Sequence, residues 1–180
     1  KLSDQSCDNT VTKANEPITE LLIQEAEVVS DITRESPDGP KENHFTINYG
    51  DTGYSYENII GKYLQGAKGV VIEDPYIRAQ HQVGNFVRFC ETIVKNSNVK
   101  TIHLITSYDD STDLALLNEK IDELKQSLLE IDVLLTVRLS EALHDREIRI
   151  DNGWIIKIGR GLDFYQKPES WFEIGANDFS

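Results

Sequence analysis

Apolar and polar positions along the chain switch between two periods, and the switches mark out its elements. Residues 1–15 hold little that could be buried and are expected to be a disordered stretch or linker. Asn15 can cap a helix whose first turn holds Glu16 and Pro17, and Ile18, Leu21, Leu22, Val28, Val29 and Ile32 recur behind it at helical spacing as one apolar face. Such a face packs on its own domain or docks on a neighbour. Ser36-Pro37-Asp38-Gly39-Pro40 ends it, because two prolines and a glycine cannot continue a helix. Phe45, Ile47 and Tyr49 then alternate as a half-buried strand, and Gly50-Asp51-Thr52-Gly53 is turn chemistry.

From there strand and helix patterns alternate. Tyr56, Ile59, Ile60, Tyr63 and Leu64 make a helical face that ends at Gly66, and Val70–Ile72 is a short strand running into Glu73-Asp74-Pro75. Val83, Phe86, Val87, Cys90, Ile93 and Val94 form a longer helical stripe, followed by Thr101–Thr106, a strand with the composition of one buried on both sides. A third helix starts near Ser111 with Leu114, Leu117, Ile121, Leu124 and Leu128 inward, and the strand Val133–Leu139 follows. The period then stays at two: Glu147–Ile150, a turn at Asp151-Asn152-Gly153, and Trp154–Ile158 read as a hairpin. The order predicts an α/β domain with a mostly parallel sheet, helices on both faces and a C-terminal β-hairpin. It divides the chain into residues 1–42, an acidic linker with one amphipathic helix, and residues 43–180, the compact domain. In such sheets the site lies beyond the carboxyl ends of the strands. Those ends are Glu73–Arg78, Ser107–Asp113 and the neighbourhood of Ser140–His144.

Composition narrows the possibilities. With 180 residues, 39% apolar and 27% charged, one core is expected, and no apolar run approaches the roughly 18–20 residues of a membrane span. The expected location is therefore cytoplasmic, with peripheral attachment to a membrane as the remaining option. Cys7 and Cys90 are too few and too far apart for a disulfide framework or a thiolate zinc site. Met is absent and the first residue is Lys, so the chain is expected to be part of a longer polypeptide with other domains as partners. A formal charge of −13 argues against a surface that binds phosphate polymers everywhere, because like charges repel over a Debye length of about 8–10 Å. The charge is uneven. Residues 1–43 carry Lys1, Lys13, Arg34 and Lys41 against ten acidic groups, whereas residues 144–167 carry Arg146, Arg149, Lys157, Arg160 and Lys167 against Asp145, Glu147, Asp151 and Asp163. Any anion site belongs in the second stretch.

That stretch also holds the candidate chemistry. His144, Arg146 and Asp151 form H-x-R-x4-D, with Gly159 after seven more residues and a strand. A histidine can attack phosphorus, a cation can hold phosphoryl oxygens and a carboxylate can orient an imidazole. If the segment is extended, His144 and Arg146 point to the same side of a strand. Three loosely spaced positions are also compatible with a surface histidine, an exposed ion-pairing arginine and a turn aspartate. Lys157 and Arg160 surround Gly159 and Gly161, glycines that let backbone N–H groups approach an anion. Tyr76 and Arg78 could stack on and clamp an anionic ligand beside Asp74, unless Arg78 simply pairs with Asp74. Asp109, Asp110 and Asp113 read as helix-capping carboxylates rather than a magnesium site, and no metal or cofactor is expected. His103 reads as a core residue and His81 as solvated, and His44 carries no signal. Trp154, Phe164, Tyr165, Trp171 and Phe172 read as core and dimer-seam aromatics.

Five ordered blocks carry a resemblance: Gly53-Tyr54-Ser55-Tyr56-Glu57, Glu73-Asp74-Pro75-Tyr76-Ile77-Arg78, Asn85-Phe86-Val87-Arg88-Phe89-Cys90-Glu91, His144–Arg149, and Asn152-Gly153-Trp154 with Lys157–Asp163. Over roughly residues 44–179 the chain resembles the MIT C-terminal domain family of phospholipase D-like domains. The resemblance implies a phospholipase D-like α/β fold and a homodimer. In eukaryotic members it implies binding to acidic phospholipid membranes; prokaryotic relatives lie at the C-termini of larger proteins, including Lon-like AAA+ proteins of phage-defence loci. With an acidic helix where a three-helix module would stand, the chain is read as nearer the prokaryotic kind. Two departures bear on catalysis: the superfamily uses two His-Lys motifs, and here a single copy carries Arg146 in place of lysine. Arginine clamps phosphate well, so the change preserves binding more surely than turnover. The expected function is a non-catalytic domain that binds a phosphate-bearing ligand, an acidic phospholipid or a nucleic acid, and dimerises within a larger protein. The alternative is a phosphodiesterase of the phospholipase D type with His144 nucleophiles paired across a dimer, and a third reading is a pure interaction module.

Overall fold

The computed structural model describes residues 39, 41–48, 51, 53–140 and 143–164. The expected N-terminal helix, Tyr49, Tyr165, Trp171 and Phe172 lie outside them. Six strands form one sheet: β1 (Lys41–Phe45), β2 (Gly69–Glu73), β3 (Thr101–Thr106), β4 (Leu134–Leu139), β5 (Glu147–Ile150) and β6 (Trp154–Ile158). Three α-helices accompany them: α1 (Tyr56–Ile60), which tightens into a 3-10 turn at Gly61–Tyr63, α2 (Gln80–Asn96) and α3 (Leu114–Leu129). The spatial order is β1-β6-β5-β2-β3-β4. β2 with β3, β3 with β4 and β1 with β6 pair in parallel, while β5 is antiparallel to both β2 and β6.

Local chemistry explains most boundaries. Ser55 caps α1 by accepting from the Asn58 amide at 3.1 Å, and Asp113 caps α3 by accepting from Leu116 N at 3.0 Å. At the start of α2 the Gln82 side chain reaches back to the Ala79 amide at 2.9 Å. The β5–β6 hairpin forms where the Asp151-Asn152-Gly153 turn places it, with Gly153 at φ +93°. One strand differs from expectation. Phe45, Ile47 and Tyr49 predicted β1 over residues 45–49, yet the strand is Lys41–Phe45, paired with Trp154–Ile158, and Ile47 is buried beyond its end. β1 is an edge strand held by its backbone pairing to β6, and its own side chains are mostly exposed, so the apolar alternation marked burial rather than the strand.

The main core takes Val70 and Ile72 from β2, Ile102 and Leu104 from β3, Leu135 from β4, and Ile148, Ile150, Ile156 and Ile158 from the hairpin. Helix residues Ile59, Phe86, Phe89, Ile93, Leu117 and Ile121 complete it. Tyr56 stands edge-on to both Phe89 and Phe164, with centroids 5.2 and 5.0 Å away, and its hydroxyl donates to the Leu162 carbonyl at 2.6 Å. This bond ties α1 to the turn after β6. Cys90 is buried in the same core, which pushes its thiol pKa well up. On the opposite face of the sheet Val71 and Ile105 form a smaller cluster with Leu143. His103 is on that face too; its Nδ1 shares a hydrogen bond with Thr136, while its buried Nε2 has no partner, so it is only half satisfied.

Candidate anion-binding groove

Parallel pairing of β1 with β6 puts their carboxyl ends side by side, and the antiparallel β5 begins at the same edge of the sheet. An open groove of about 480 Å³ forms there, lined by His44, Phe45 and Thr46 from β1 and its exit, His144, Asp145 and Arg146 from the loop before β5, and Lys157, Ile158 and Gly159 from β6 and its exit. The groove lies at the carboxyl ends of β1 and β6, and of the three strand-end segments singled out in the sequence it takes His144 alone. His144 and Arg146 are not on a strand, however, because β5 starts only at Glu147. His144 is exposed, and Arg146 is half-buried.

Arg146 is held from two sides. Its Nη1 donates to the Gly159 carbonyl at 2.9 Å, and its guanidinium carbon stands 4.2 Å from the centroid of the Tyr76 ring. Arg78 approaches the same ring at 5.7 Å and forms its ion pair with Asp109, not with Asp74. Asp74, 2% exposed, is a structural anchor for the loop: its carboxylate accepts from Tyr76 N at 3.0 Å and from Leu162 N at 2.7 Å. Burial pushes its pKa above the ordinary carboxylate value, against the two amides and Arg146, which favour the charged form. Tyr76 thus holds Arg146, Asp74 anchors the loop and Arg78 turns to Asp109, and none of the three lines the groove.

Lys157 joins Arg146 in the groove, and here the geometry adds a residue that the sequence did not single out. His44 is the register partner of Lys157 in the β1–β6 pairing. Glu42, two residues earlier on the same face of β1, accepts from Lys157 Nζ at 3.1 Å and has its other oxygen 3.2 Å from His44 Nε2. Lys157 and then His44 hold the Glu42 carboxyl below the usual carboxylate range. Lys157 also stands 3.9 Å from Glu147, whose other partner is Arg149; Arg149 in turn reaches Glu73 at 3.8 Å. Burial raises the Glu73 pKa, partly offset by Arg149.

Two further candidates are elsewhere. Arg160 is exposed in the turn after β6 and does not line the groove. Asp151 sits at the far end of β5 from His144, where its carboxylate accepts from the amides of Lys68 (3.0 Å) and Gly69 (2.9 Å) and so fastens the hairpin to the start of β2. His144, Arg146 and Lys157 converge; Asp151 does not join them. A second cleft, of about 300 Å³, opens between the starts of α2 and α3, with Arg78, Ser111 and Lys120 in its walls. Asp113 serves as a cap, and no cluster of metal-ligating side chains occurs among the described residues. No helix among them is long and apolar enough to cross a membrane.

Comparison with known proteins agrees with a phospholipase D-like α/β fold. A relative from Mus musculus, "MIT domain-containing protein 1", is 44% identical over 149 residues, which cover 82% of this chain and 60% of that protein, so the chain spans about three-fifths of the relative's length. The family model described as "Phospholipase D-like domain at C-terminus of MIT" matches residues 53–180 and with them both the Asp74–Arg78 loop and the His144–Gly161 segment. The chain belongs to this family of phospholipase D-like domains.

Proposed function

We propose that the domain binds a phosphate group in the groove between the ends of β1 and β6 and the loop before β5, without turning it over, and that it acts as a homodimer within a larger assembly. The phospholipase D-like reading carries with it a mostly parallel sheet covered by helices on both faces; among the described residues the three helices pack into the core on the Val70 and Ile72 face. The observation that supports binding is the convergence of Arg146, Lys157, His144 and His44 on one groove. A planar guanidinium pre-oriented by Tyr76 and a flexible ammonium beside it are suited to the oxygens of one phosphate. The observation against turnover is the position of Asp151, whose carboxylate is engaged at the other end of β5 and cannot orient His144. An acidic phospholipid head group is the favoured ligand over nucleic acid, because Arg146 and Lys157 are the lysine and arginine residues that line the groove on a chain of formal charge −13, whereas a polyanion needs an extended basic track.

Flotation with vesicles containing an acidic phospholipid tests this directly. Binding is expected to weaken as salt rises and to fall severalfold in Arg146→Ala, with single-stranded DNA a poor competitor. Binding unaffected by Arg146→Ala would remove the anion-site reading and leave a pure interaction module; strong competition by DNA would transfer the ligand to nucleic acid. Two imidazoles in one groove are also what a phosphodiesterase needs as nucleophile and acid. Hydrolysis of bis-p-nitrophenyl phosphate in EDTA that disappears in His144→Ala would establish that second reading. Sedimentation at tens of micromolar is expected to give a dimer.

A further inference from the structure

We propose that the outer edge of β4 is the surface through which two copies of this chain pair, each β4 running antiparallel to the other across a two-fold axis. The inference rests on the homodimer reading above and adds to it the interface, its direction and the separation of the two grooves.

The sheet ends in β1 on one side and β4 on the other, and the two edges differ in kind. At β1, Lys41 N donates to the Gly153 carbonyl at 3.0 Å and the Phe45 carbonyl accepts from Gly159 N at 3.2 Å, so residues 41, 43 and 45 bond inward to β6. The outward amides there are those of Glu42 and His44, on a strand of mostly polar and charged residues that blunt the edge against further pairing. At β4, Leu134 N donates to the Lys100 carbonyl at 2.8 Å and Ser140 N to the Thr106 carbonyl at 2.9 Å, so the even positions bond inward to β3. Leu135, Val137 and Leu139 therefore turn N–H and C=O outward, and none of these amides has a partner among the described residues. With Arg138 as its single charge and no proline or glycine, β4 is open to strand addition.

The side chains around the edge name its partner. Leu129, Ile131 and Leu134, at 63%, 49% and 47%, are the three most exposed large apolar side chains among the described residues, and all stand at the entry to β4. Glu130 and Asp132 are exposed at that same end and Arg138 toward the other, and none of the three is in an ion pair among the described residues. The strip thus has an acidic, apolar head and a basic tail. An antiparallel copy sets the tail of each strip against the head of the other, twice by symmetry, and covers both sets of aliphatic side chains; a parallel copy would set like charge against like. Joining the copies this way leaves four strand spacings from β6 to β4 in each and one across the joint, nine in all, on the order of 40 Å at about 4.8 Å each. The carboxyl ends of the two β6 strands also point in opposite directions. Each groove is then complete in one copy, and the two His144 imidazoles do not meet.

Sedimentation velocity of the full chain across a micromolar concentration series, with calorimetric titration of phenyl phosphate beside it, tests the proposal. Leu134→Lys puts a charge into the apolar head, and Val137→Pro removes an outward N–H that the single chain leaves to water. Each is expected to raise the dimer dissociation constant about tenfold or more. Arg138→Glu is expected to raise it severalfold by setting like charges together. Phenyl phosphate affinity per chain should stay within about twofold of wild type in Leu134→Lys. A dimer that persists unchanged in Leu134→Lys and in Val137→Pro overturns the β4 interface and leaves the homodimer standing; if Val137→Pro fails to fold, Leu134→Lys decides alone. An unchanged dimer in Arg138→Glu overturns the antiparallel direction. Loss of phosphate affinity in a folded, monomeric Leu134→Lys overturns the separation of the grooves. A monomeric wild type overturns the homodimer reading and this inference together, and leaves the edge to a strand of a different protein.

Discussion

Gly161 presses its α-carbon against the buried carboxylate of Asp74 so closely that a Cβ there would stand 2.2 Å from Oδ2 and 2.9 Å from the carboxyl carbon. The same turn lets Leu162 N donate to Oδ2 at 2.7 Å, and it holds Gly161 at φ +64°. The left-handed conformation alone costs an L-residue roughly 1–3 kcal/mol, and the clash with a fully packed carboxylate adds to it. Gly161→Ala should therefore lower the melting temperature by several degrees or prevent folding. A thermal unfolding curve superimposable on that of the wild type would contradict the close approach.

Asp74 also sets a pH dependence of unusual sign. Its folded pKa lies above the ordinary value of 3.8, so just above pH 3.8 the folded chain binds more protons than the unfolded chain. Its contribution to stability is then largest below pH 3.8 and falls as pH rises through the folded pKa. Denaturant titrations of wild type and Asp74→Asn across that range should show wild type losing stability relative to the variant as pH increases. A relative gain would mean that the amides of Tyr76 and Leu162 outweigh burial.

Asp151 is expected to behave as a fastener. Asp151→Ala removes a charged acceptor shared by the Lys68 and Gly69 amides and should cost about 1–2 kcal/mol in denaturant stability. Because the groove lies at the other end of β5, phosphate affinity of the folded variant should stay within about twofold of wild type, a margin below roughly 0.5 kcal/mol. A loss of affinity comparable to that of Arg146→Ala would place Asp151 in the site after all.

Tyr76 is expected to act through Arg146. Removing the ring in Tyr76→Ala frees the guanidinium and forfeits a contact worth roughly 0.5–1 kcal/mol at such half-exposed sites, so phosphate affinity should fall by about two- to fivefold. Tyr76→Phe keeps the ring and should bind like wild type. If Phe fails as Ala does, the hydroxyl and not the ring is what matters.

Elements whose pattern and punctuation lie close together were legible from the chain alone. The Glu147–Ile150 and Trp154–Ile158 hairpin has the predicted strands because alternation and a turn built on Gly153 select the same register. α2 and α3 bury Phe86, Cys90 and Ile93 and Leu117, Ile121, Leu124 and Leu128 of the predicted stripes, while Leu114, expected inward at the start of α3, is exposed. β1 was misplaced because an edge strand with exposed side chains has no hydrophobic signature; only its hydrogen bonds to β6, more than a hundred residues away, set its limits.

The amino-acid sequence by itself determined the family, the α/β order of elements and the stretch that supplies Arg146, Lys157 and His144, because these are properties of residue type, period and order. Tertiary structure decided which of those residues meet. Seven positions separate His144 from Asp151, and the four residues of β5 between them span roughly 13 Å at about 3.3 Å each, so a motif contiguous in sequence is pulled apart in space. The opposite holds for His44, which is a hundred positions before His144 and 113 before Lys157, yet lines one groove with both. Nothing in its local sequence marks it, since only the parallel pairing of β1 with β6 brings an imidazole, an ammonium and the carboxylate of Glu42 within reach of one another.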